Sequence, residues 1–230
     1  MRLAVIPARG GSKRIPRKNI KPFGGKPVIV WSINAALQSN RFDQVIVSTD
    51  DAEIAEIARM HGASVPFIRP PELSDDYTGT TSVIRHAIDW FQMHGKAPEL
   101  VCCIYATAPF ICADDIQKGL RVLEQTGSDY VFSVASYAFP IQRALRVMPN
   151  GRVEMFYPQH FSTRSQDLEM AYHDAGQFYW GHTSAWLGGN PIFSPDSASV
   201  ILPRHRVQDI DTPEDWERAE LMFSALQGHA

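Results

Sequence analysis

Short apolar runs alternate along the chain with stretches of helical periodicity, and this alternation restricts the fold more than any single motif does. Leu3-Ala4-Val5-Ile6, Val45-Ile46-Val47 and Leu100 to Tyr105 are continuous apolar runs of strand length. They predict strands covered on both faces, with a further strand at Ser64 to Ile68, third in chain order. Between them the spacing predicts helices from about Pro27 to Leu37, from a cap in Ser48-Thr49-Asp50-Asp51 to about His61, and from about Thr80 to Met93. Further on come a helix at Asp114 to Glu124, a strand at Tyr130 to Val134, a core segment at Gly176 to Trp180, a strand at Val200 to Leu202 and a helix from Pro213 to about Leu226. The succession predicts an α/β fold with a doubly wound parallel sheet that binds ligands at the carboxyl ends of its strands.

A chain of 230 residues, 44% hydrophobic, can bury one sizeable core, and residues 1–230 are read as a single domain. From about 139 to 170 the periodicity weakens among turn signals at Pro140, Pro149-Asn150-Gly151 and Pro158. That segment predicts a protruding, hairpin-bearing arm suited to a homodimer contact. No run reaches the roughly 18 apolar residues of a membrane span, nor does the N-terminus carry a signal-peptide core, so a cytoplasmic protein without a membrane partner is expected. Cys102, Cys103 and Cys112 form neither a disulfide framework nor a zinc spacing.

The net charge of -3 conceals a division. Eight of the 22 Lys and Arg residues lie in residues 1–26, and none of the 25 Asp and Glu do, so a head of +8 sits on a body of -11. A nucleic-acid binder would need an extended basic track; this distribution predicts a local anion site and no nucleic-acid partner. The charge concentrates in Ile6-Pro7-Ala8-Arg9-Gly10-Gly11-Ser12-Lys13-Arg14-Ile15-Pro16-Arg17-Lys18-Asn19, where the first strand should end. Gly10 and Gly11 permit close approach of the backbone to an anion, while Arg9, Lys13 and Lys18 can neutralise a polyphosphate. Neither the P-loop nor the dinucleotide-binding glycine pattern is present.

Two further segments carry chemistry. In Asp209-Ile210-Asp211-Thr212-Pro213, residues i and i+2 of an extended chain share a face, so two carboxylates can lie together over a buried Ile210. Such a pair suits Mg²⁺; equally, Asp211 or Thr212 can cap the helix that Pro213 opens. Tyr172-His173-Asp174-Ala175-Gly176-Gln177-Phe178-Tyr179-Trp180 mixes hydrogen-bonding and aromatic groups suited to a polyhydroxylated ligand, or to a turn entering an aromatic strand.

In this order the segments resemble the cytidylyltransferases that make CMP-activated nonulosonic acids, across nearly the whole chain. Supporting stretches are Val47-Ser48-Thr49-Asp50, Arg69-Pro70-Pro71-Glu72-Leu73 and Asp209-Ile210-Asp211-Thr212. The resemblance implies an α/β fold of the nucleotide-diphospho-sugar transferase type, with a Rossmann-like, doubly wound, mixed, mostly parallel sheet, CTP and an anionic nine-carbon sugar acid as substrates, Mg²⁺ as cofactor and a homodimer. By the same resemblance Ala8, Arg9, Gly10, Gly11, Ser12, Lys13 and Asn19 meet the nucleotide, and Lys18 lies at the α-phosphate. Arg69 with Thr80 or Thr81 meets base and ribose, and Asp209 and Asp211 hold the metal. Tyr105-Ala106-Thr107-Ala108-Pro109-Phe110 and His173-Asp174-Ala175-Gly176-Gln177 depart from the sialic-acid type and resemble the pseudaminic acid branch. The sugar contacts expected are Tyr105, Asp174, Gln177 and Arg164, the last reaching from the arm, of this chain or of a partner, to the sugar carboxylate.

The chemistry so implied is in-line attack of the anomeric hydroxyl on the α-phosphorus, with Arg9, Lys13, Lys18 and Asp209 as the catalytic set. Rival readings are a CMP-N-acetylneuraminate or CMP-legionaminate synthetase and a nucleotide-binding domain without turnover.

Overall fold

The structure, a computed structural model, describes residues 1–228. Its strands are β1 (Arg2–Pro7), β2 (Pro22–Phe23), β3 (Lys26–Pro27), β4 (Gln44–Ser48), β5 (Leu100–Ile104), β6 (Tyr130–Ser136), β7 (Leu145–Val147), β8 (Val153–Met155), β9 (Tyr172–His182) and β10 (Ser197–Ile201). The helices are α1 (Ile29–Gln38), α2 (Ala52–Met60), α3 (Thr80–Met93), α4 (Ala113–Thr126), α5 (Thr183–Gly188) and α6 (Pro213–Gln227). Six strands form the main sheet in the order β10-β6-β9-β5-β1-β4. Within the main sheet only β9 runs antiparallel to its neighbours, so the sheet is mostly parallel, as the alternation of runs predicts, and mixed, as the resemblance implies. Among the described residues no helix is long and apolar enough to cross a membrane.

Alternate side chains of β1 explain the two layers. Ala4 and Ile6 pack with Ile29 and Ile33 of α1, Ile54 of α2 and Ile116 and Leu120 of α4. Leu3 and Val5 face the other way, onto Ile84, Ile88 and Phe91 of α3 and Trp186 of α5. A third apolar cluster joins Ile15 of the basic loop, Phe23, Val28, Phe110, Ile210 and Trp216 of α6.

Two expectations need correction. Ser64 to Ile68 is not a strand: Ser64 bridges Ile46, and Pro66, which has no N–H, ends the pairing before Arg69 rejoins with a bond to the Thr49 carbonyl at 2.8 Å. The core segment at Gly176 to Trp180 is the middle of the longer β9, which has an irregularity: β6 advances from Phe132 to Val134 while β9 runs from Tyr179 back to Asp174. The extra residues are accommodated at Gly176, whose φ of +61° lies in the left-handed region. The segment between β6 and β9 projects from the sheet and carries the separate β7-β8 hairpin, with Phe139, Val147, Phe161 and Met170 exposed.

The basic loop after β1 is fixed from behind by the turn after β4. Asp50 accepts the Gly10 N–H at 2.9 Å, and a Cβ on Gly10 would come within 2.6 Å of an Asp51 carboxylate oxygen. Asp51 also caps α2 through the Ile54 N–H at 3.0 Å and pairs with Arg17 through both guanidinium nitrogens. That pairing holds Arg17 at φ +55°, an unfavourable conformation for a residue with a Cβ.

Two outcomes follow from this packing. A Cβ on Gly119 of α4 would meet Phe178 at 2.6 Å and Trp180 at 2.8 Å. Gly119→Ala should therefore lower stability by about 1–3 kcal/mol despite the better helix propensity of alanine, read as a lower urea midpoint. A midpoint at or above wild type would show that the α4–β9 contact relaxes without cost. The Arg17 hydrogen bond, working against partial burial, holds the Asp51 carboxyl below its usual range. A folded-state value below the unfolded one stabilises at neutral pH and is lost as pH falls through the folded value. The stability difference between wild type and Asp51→Asn, which keeps a capping oxygen, should thus be full at pH 7 and shrink on acidification below about pH 4. A difference unchanged down to pH 2 would contradict the ion pair.

Candidate active site

A cleft of about 300 Å³ opens at the carboxyl end of β1, where a doubly wound sheet binds ligands. Arg9, Ser12, Lys18 and Asn19 of the basic loop form one wall, Arg69, Asp76 and Thr80 another, and Tyr105 part of the floor. A recess of about 40 Å³ shares Arg9, Ser12 and Lys18 with the cleft and extends it to Lys13, Arg14 and Asp211.

The loop's bases are all engaged by acceptors from distant segments. Arg9 Nη1 donates to the Asp75 carbonyl at 2.6 Å and pairs with Asp76 at 2.7 Å; Lys13 pairs with the other Asp76 oxygen. Lys18 donates to the Ile210 carbonyl at 2.7 Å and lies 3.4 Å from Asp211, which also takes Arg14 at 2.9 Å. Asn19 donates to the Arg9 carbonyl at 2.8 Å, closing the loop on itself. Because Asp50 takes the Gly10 N–H, that amide is not offered to the cleft. A Cβ on Gly11 would meet nothing within 4 Å, so the open approach is there. Ala8 is buried in the core and enters only as backbone.

Arg69 is buried, with 4% of its surface exposed. It donates to Ser74 Oγ at 3.1 Å and has Asp50 at 3.8 Å as counter-charge; burial, joined by repulsion from Arg9, lowers its pKa, and Asp50 opposes this. Thr80, at the first turn of α3, lines the cleft, whereas Thr81 does not.

The segment ahead of α6 separates capping from the carboxylate pair. Thr212 is the cap, its hydroxyl taking the Asp215 N–H at 3.2 Å while the Asp215 carboxylate takes the Thr212 N–H at 2.8 Å. Asp209 and Asp211 are therefore not needed to begin the helix. Ile210 between them is fully buried against the third cluster, which also holds Ile15, so one core supports both the basic loop and the carboxylates. Burial raises the Asp209 carboxyl above its usual range, Asp211 and Asp174 add to the rise, and Lys18 opposes it. The residue stays accessible, and its Oδ1 would lie 3.8 Å from a Cβ on Gly176.

The expected sugar contacts divide. Tyr105 lies on the cleft floor, 5.3 Å from Tyr179 between ring centres. Asp174, in the irregular part of β9, takes the Gly176 N–H at 3.0 Å and the Tyr179 hydroxyl. Gln177 does not face the cleft: it is 3% exposed and donates to the Arg206 carbonyl at 2.7 Å. Its place is structural, since Arg206 pairs with Asp115 at 2.7 Å and so anchors the turn that leads to Asp209. Arg164 is on the arm, paired with Asp167 at 2.7 Å, and is not brought to this chain's cleft. Asp50, Asp75 and Asp76 are the residues that motif reading passes over; the surplus of loop cations without local counter-charge is the signal that would have called for them.

The geometry can be set beside known proteins. A family model described as cytidylyltransferase matches residues 3–175. The pseudaminic acid cytidylyltransferase of Campylobacter jejuni is 48% identical over 96% of this chain and 95% of its own. The CMP-N,N'-diacetyllegionaminic acid synthase of Legionella pneumophila is 33% identical over 98% and 97% respectively. A solved CMP:2-keto-3-deoxy-manno-octonic acid synthetase complexed with CTP shares the fold, with a TM-score of 0.69 at 17% identity, over 98% of this chain and 99% of that one. On the family match and the near-complete coverage of these relatives, this chain belongs to the cytidylyltransferase family of nucleotidyltransferases.

Proposed function

We propose that the protein transfers CMP from CTP to the anomeric hydroxyl of pseudaminic acid, releasing pyrophosphate. The observation that carries the reaction type is the cleft of Arg9 and Lys18 that continues into a recess where Lys13 and Asp211 join them, with Asp209 close enough to feel the charges of Lys18 and Asp211. An anionic sugar approaching a triphosphate needs charge neutralisation above all; the bases supply it directly, and the carboxylates would do so only through a divalent cation that they hold. Greater identity to the pseudaminic acid relative than to the legionaminic acid relative supports the acceptor.

In this reading Arg9 and Lys13 bind the β- and γ-phosphates and stabilise charge on the leaving pyrophosphate, and Lys18 faces the α-phosphate. Buried Arg69 and Thr80 hold the base and ribose side. Tyr105 and Asp174 meet the sugar across the floor. Asp209, exposed and beside Lys18, would take the proton of the attacking hydroxyl as it adds to phosphorus.

A divalent cation fits the donor set. Asp209 and Asp211 are hard oxygen donors two residues apart; burial first and then repulsion from Asp211 raise the Asp209 carboxyl, and a dication would relieve the repulsion. Mg²⁺ is commonly held by one or two carboxylates with substrate phosphates completing the shell. When bound it would supply positive charge beside the α-phosphate.

A homodimer joined through the projecting hairpin would cover the exposed Phe139, Val147, Phe161 and Met170, side chains that cost free energy when left in water. The arm would then be placed to bring Arg164 towards a partner's sugar site. Light scattering should give twice the monomer mass, and a Val147→Glu/Phe161→Glu variant should fall to the monomer; a monomeric wild type would exclude this role for the arm.

The reaction is tested by pyrophosphate release with CTP, Mg²⁺ and pseudaminic acid, N-acetylneuraminic acid or N,N'-diacetyllegionaminic acid. Turnover is expected with the first and much less with the others. Arg9→Ala and Asp209→Asn should each lower the rate on the order of 10²-fold or more while remaining folded. Folded variants at near-normal rates would overturn these roles, and turnover with another acceptor alone would reassign the sugar.

A further inference from the structure

The loop between Arg69 and α3 is built around one carboxylate. Asp75 Oδ1 accepts the Tyr77 N–H at 3.0 Å, the Thr78 N–H at 2.7 Å and the Thr78 hydroxyl at 2.7 Å, so its side chain folds the turn. The turn presents two acceptors to a single nitrogen: the Asp75 carbonyl, at 2.6 Å, and Asp76 Oδ1, at 2.7 Å, both meet Arg9 Nη1. The second Asp76 oxygen pairs with Lys13. Among the described residues, Arg9 Nε and Nη2 make no hydrogen bond. A guanidinium is a rigid planar fork, so gripping one nitrogen sets the direction of the others.

We propose that Asp76, on the turn that Asp75 organises, is a positioning residue for cytidylyl transfer, fixing Arg9 Nη1 so that the Nε–Nη2 edge is aimed at the triphosphate. The inference rests on the reading that Arg9 meets the triphosphate of CTP. A carboxylate beside a phosphate site would ordinarily weaken anion binding, because it competes for the same cation. Its placement is useful where alignment of Arg9 as pyrophosphate departs matters more than ground-state affinity, since only interactions stronger in the transition state accelerate the reaction. The same carboxylate sets the spacing of Arg9 and Lys13 by joining them.

The two roles of Asp76 separate in the kinetics. Pyrophosphate release is measured against CTP concentration at saturating pseudaminic acid for wild type, Asp76→Asn, Asp75→Ala, Arg9→Lys and the double variant Asp76→Asn/Arg9→Lys. Dissociation constants for CTP without acceptor are measured by calorimetry. For Asp76→Asn the expected result is a fall in kcat of about ten- to a hundredfold with the CTP dissociation constant within about threefold of wild type. Arg9→Lys, which has no second edge to aim, should fall comparably, and adding Asp76→Asn to it should cost less than about twofold more, the non-additivity of residues acting through one contact. Asp75→Ala, which frees the turn, should resemble Asp76→Asn and carries the test if the latter fails to fold. Wild-type kcat in Asp76→Asn beside an impaired Arg9→Lys would overturn the positioning role alone. Tighter CTP binding with unchanged kcat would overturn it too, making Asp76 a counter-anion that the triphosphate displaces. Wild-type kinetics in Arg9→Lys would instead remove the reading of Arg9 on which the inference rests.

Discussion

Eight cations within the first 26 residues have to be answered from elsewhere in the chain, and the carboxyl end of the sheet is arranged around that requirement. Arg2 finds Glu124 at the opposite end of β1. Arg9 and Lys13 find Asp76, Arg14 and Lys18 find Asp211, and Arg17 finds Asp51. Lys21 lies 4.3 Å from the ring centre of Trp216, and Lys26 lies 3.5 Å from that of Trp31. Each exposed pair contributes only about 0–1 kcal/mol, so the network's weight lies in placement more than in stability. It draws the turn after β4, the loop before α3 and the segment before α6 onto one basic loop, and the walls of the cleft are the result.

Apolar packing makes that placement durable. Ile15 and Ile210 enter the same cluster beneath Trp216, so the loop that bears the bases and the segment that bears the carboxylates cannot separate without opening a shared core. On the far side, Ser32 donates to the Tyr105 carbonyl at 2.7 Å, and Tyr105 donates its N–H to Gln177 at 2.9 Å, tying the floor to α1 and β9. Beside the irregularity at Gly176, Asp174 is close enough to Asp209 to add to the rise of its carboxyl. Gly176 takes its left-handed φ without steric cost, whereas Arg17, also left-handed, is held there by Asp51.

Much of this was legible in the sequence wherever the determinant was local. Apolar runs of strand length marked the parallel strands, glycines and bases after the first run marked the loop, and the i, i+2 carboxylates around an apolar residue marked the segment before α6. The cap ambiguity at Asp211 was beyond reach because Thr212 and Asp211 are equally suited by type; hydrogen-bond geometry decides for Thr212. Asp50 and Asp76 escaped because their partners lie about forty and sixty-seven positions away, and no periodicity records a long-range ion pair. Gln177 suits a ligand contact by type, but it lies in the stretch of β9 that is buried on both faces, where it donates to the Arg206 carbonyl. Arg164 pairs locally on an arm that a single copy leaves outside the cleft.

On the proposed function, the triphosphate lies between the basic loop and the Asp209–Asp211 segment, and a crystal structure of the protein with CTP decides whether it does. The β- and γ-phosphates are expected against Arg9 and Lys13, the α-phosphate between Lys18 and the two carboxylates, and the cytosine on the Arg69 side. Phosphates bound away from the basic loop, or a nucleotide whose α-phosphate lies remote from Asp209 and Asp211, would contradict it.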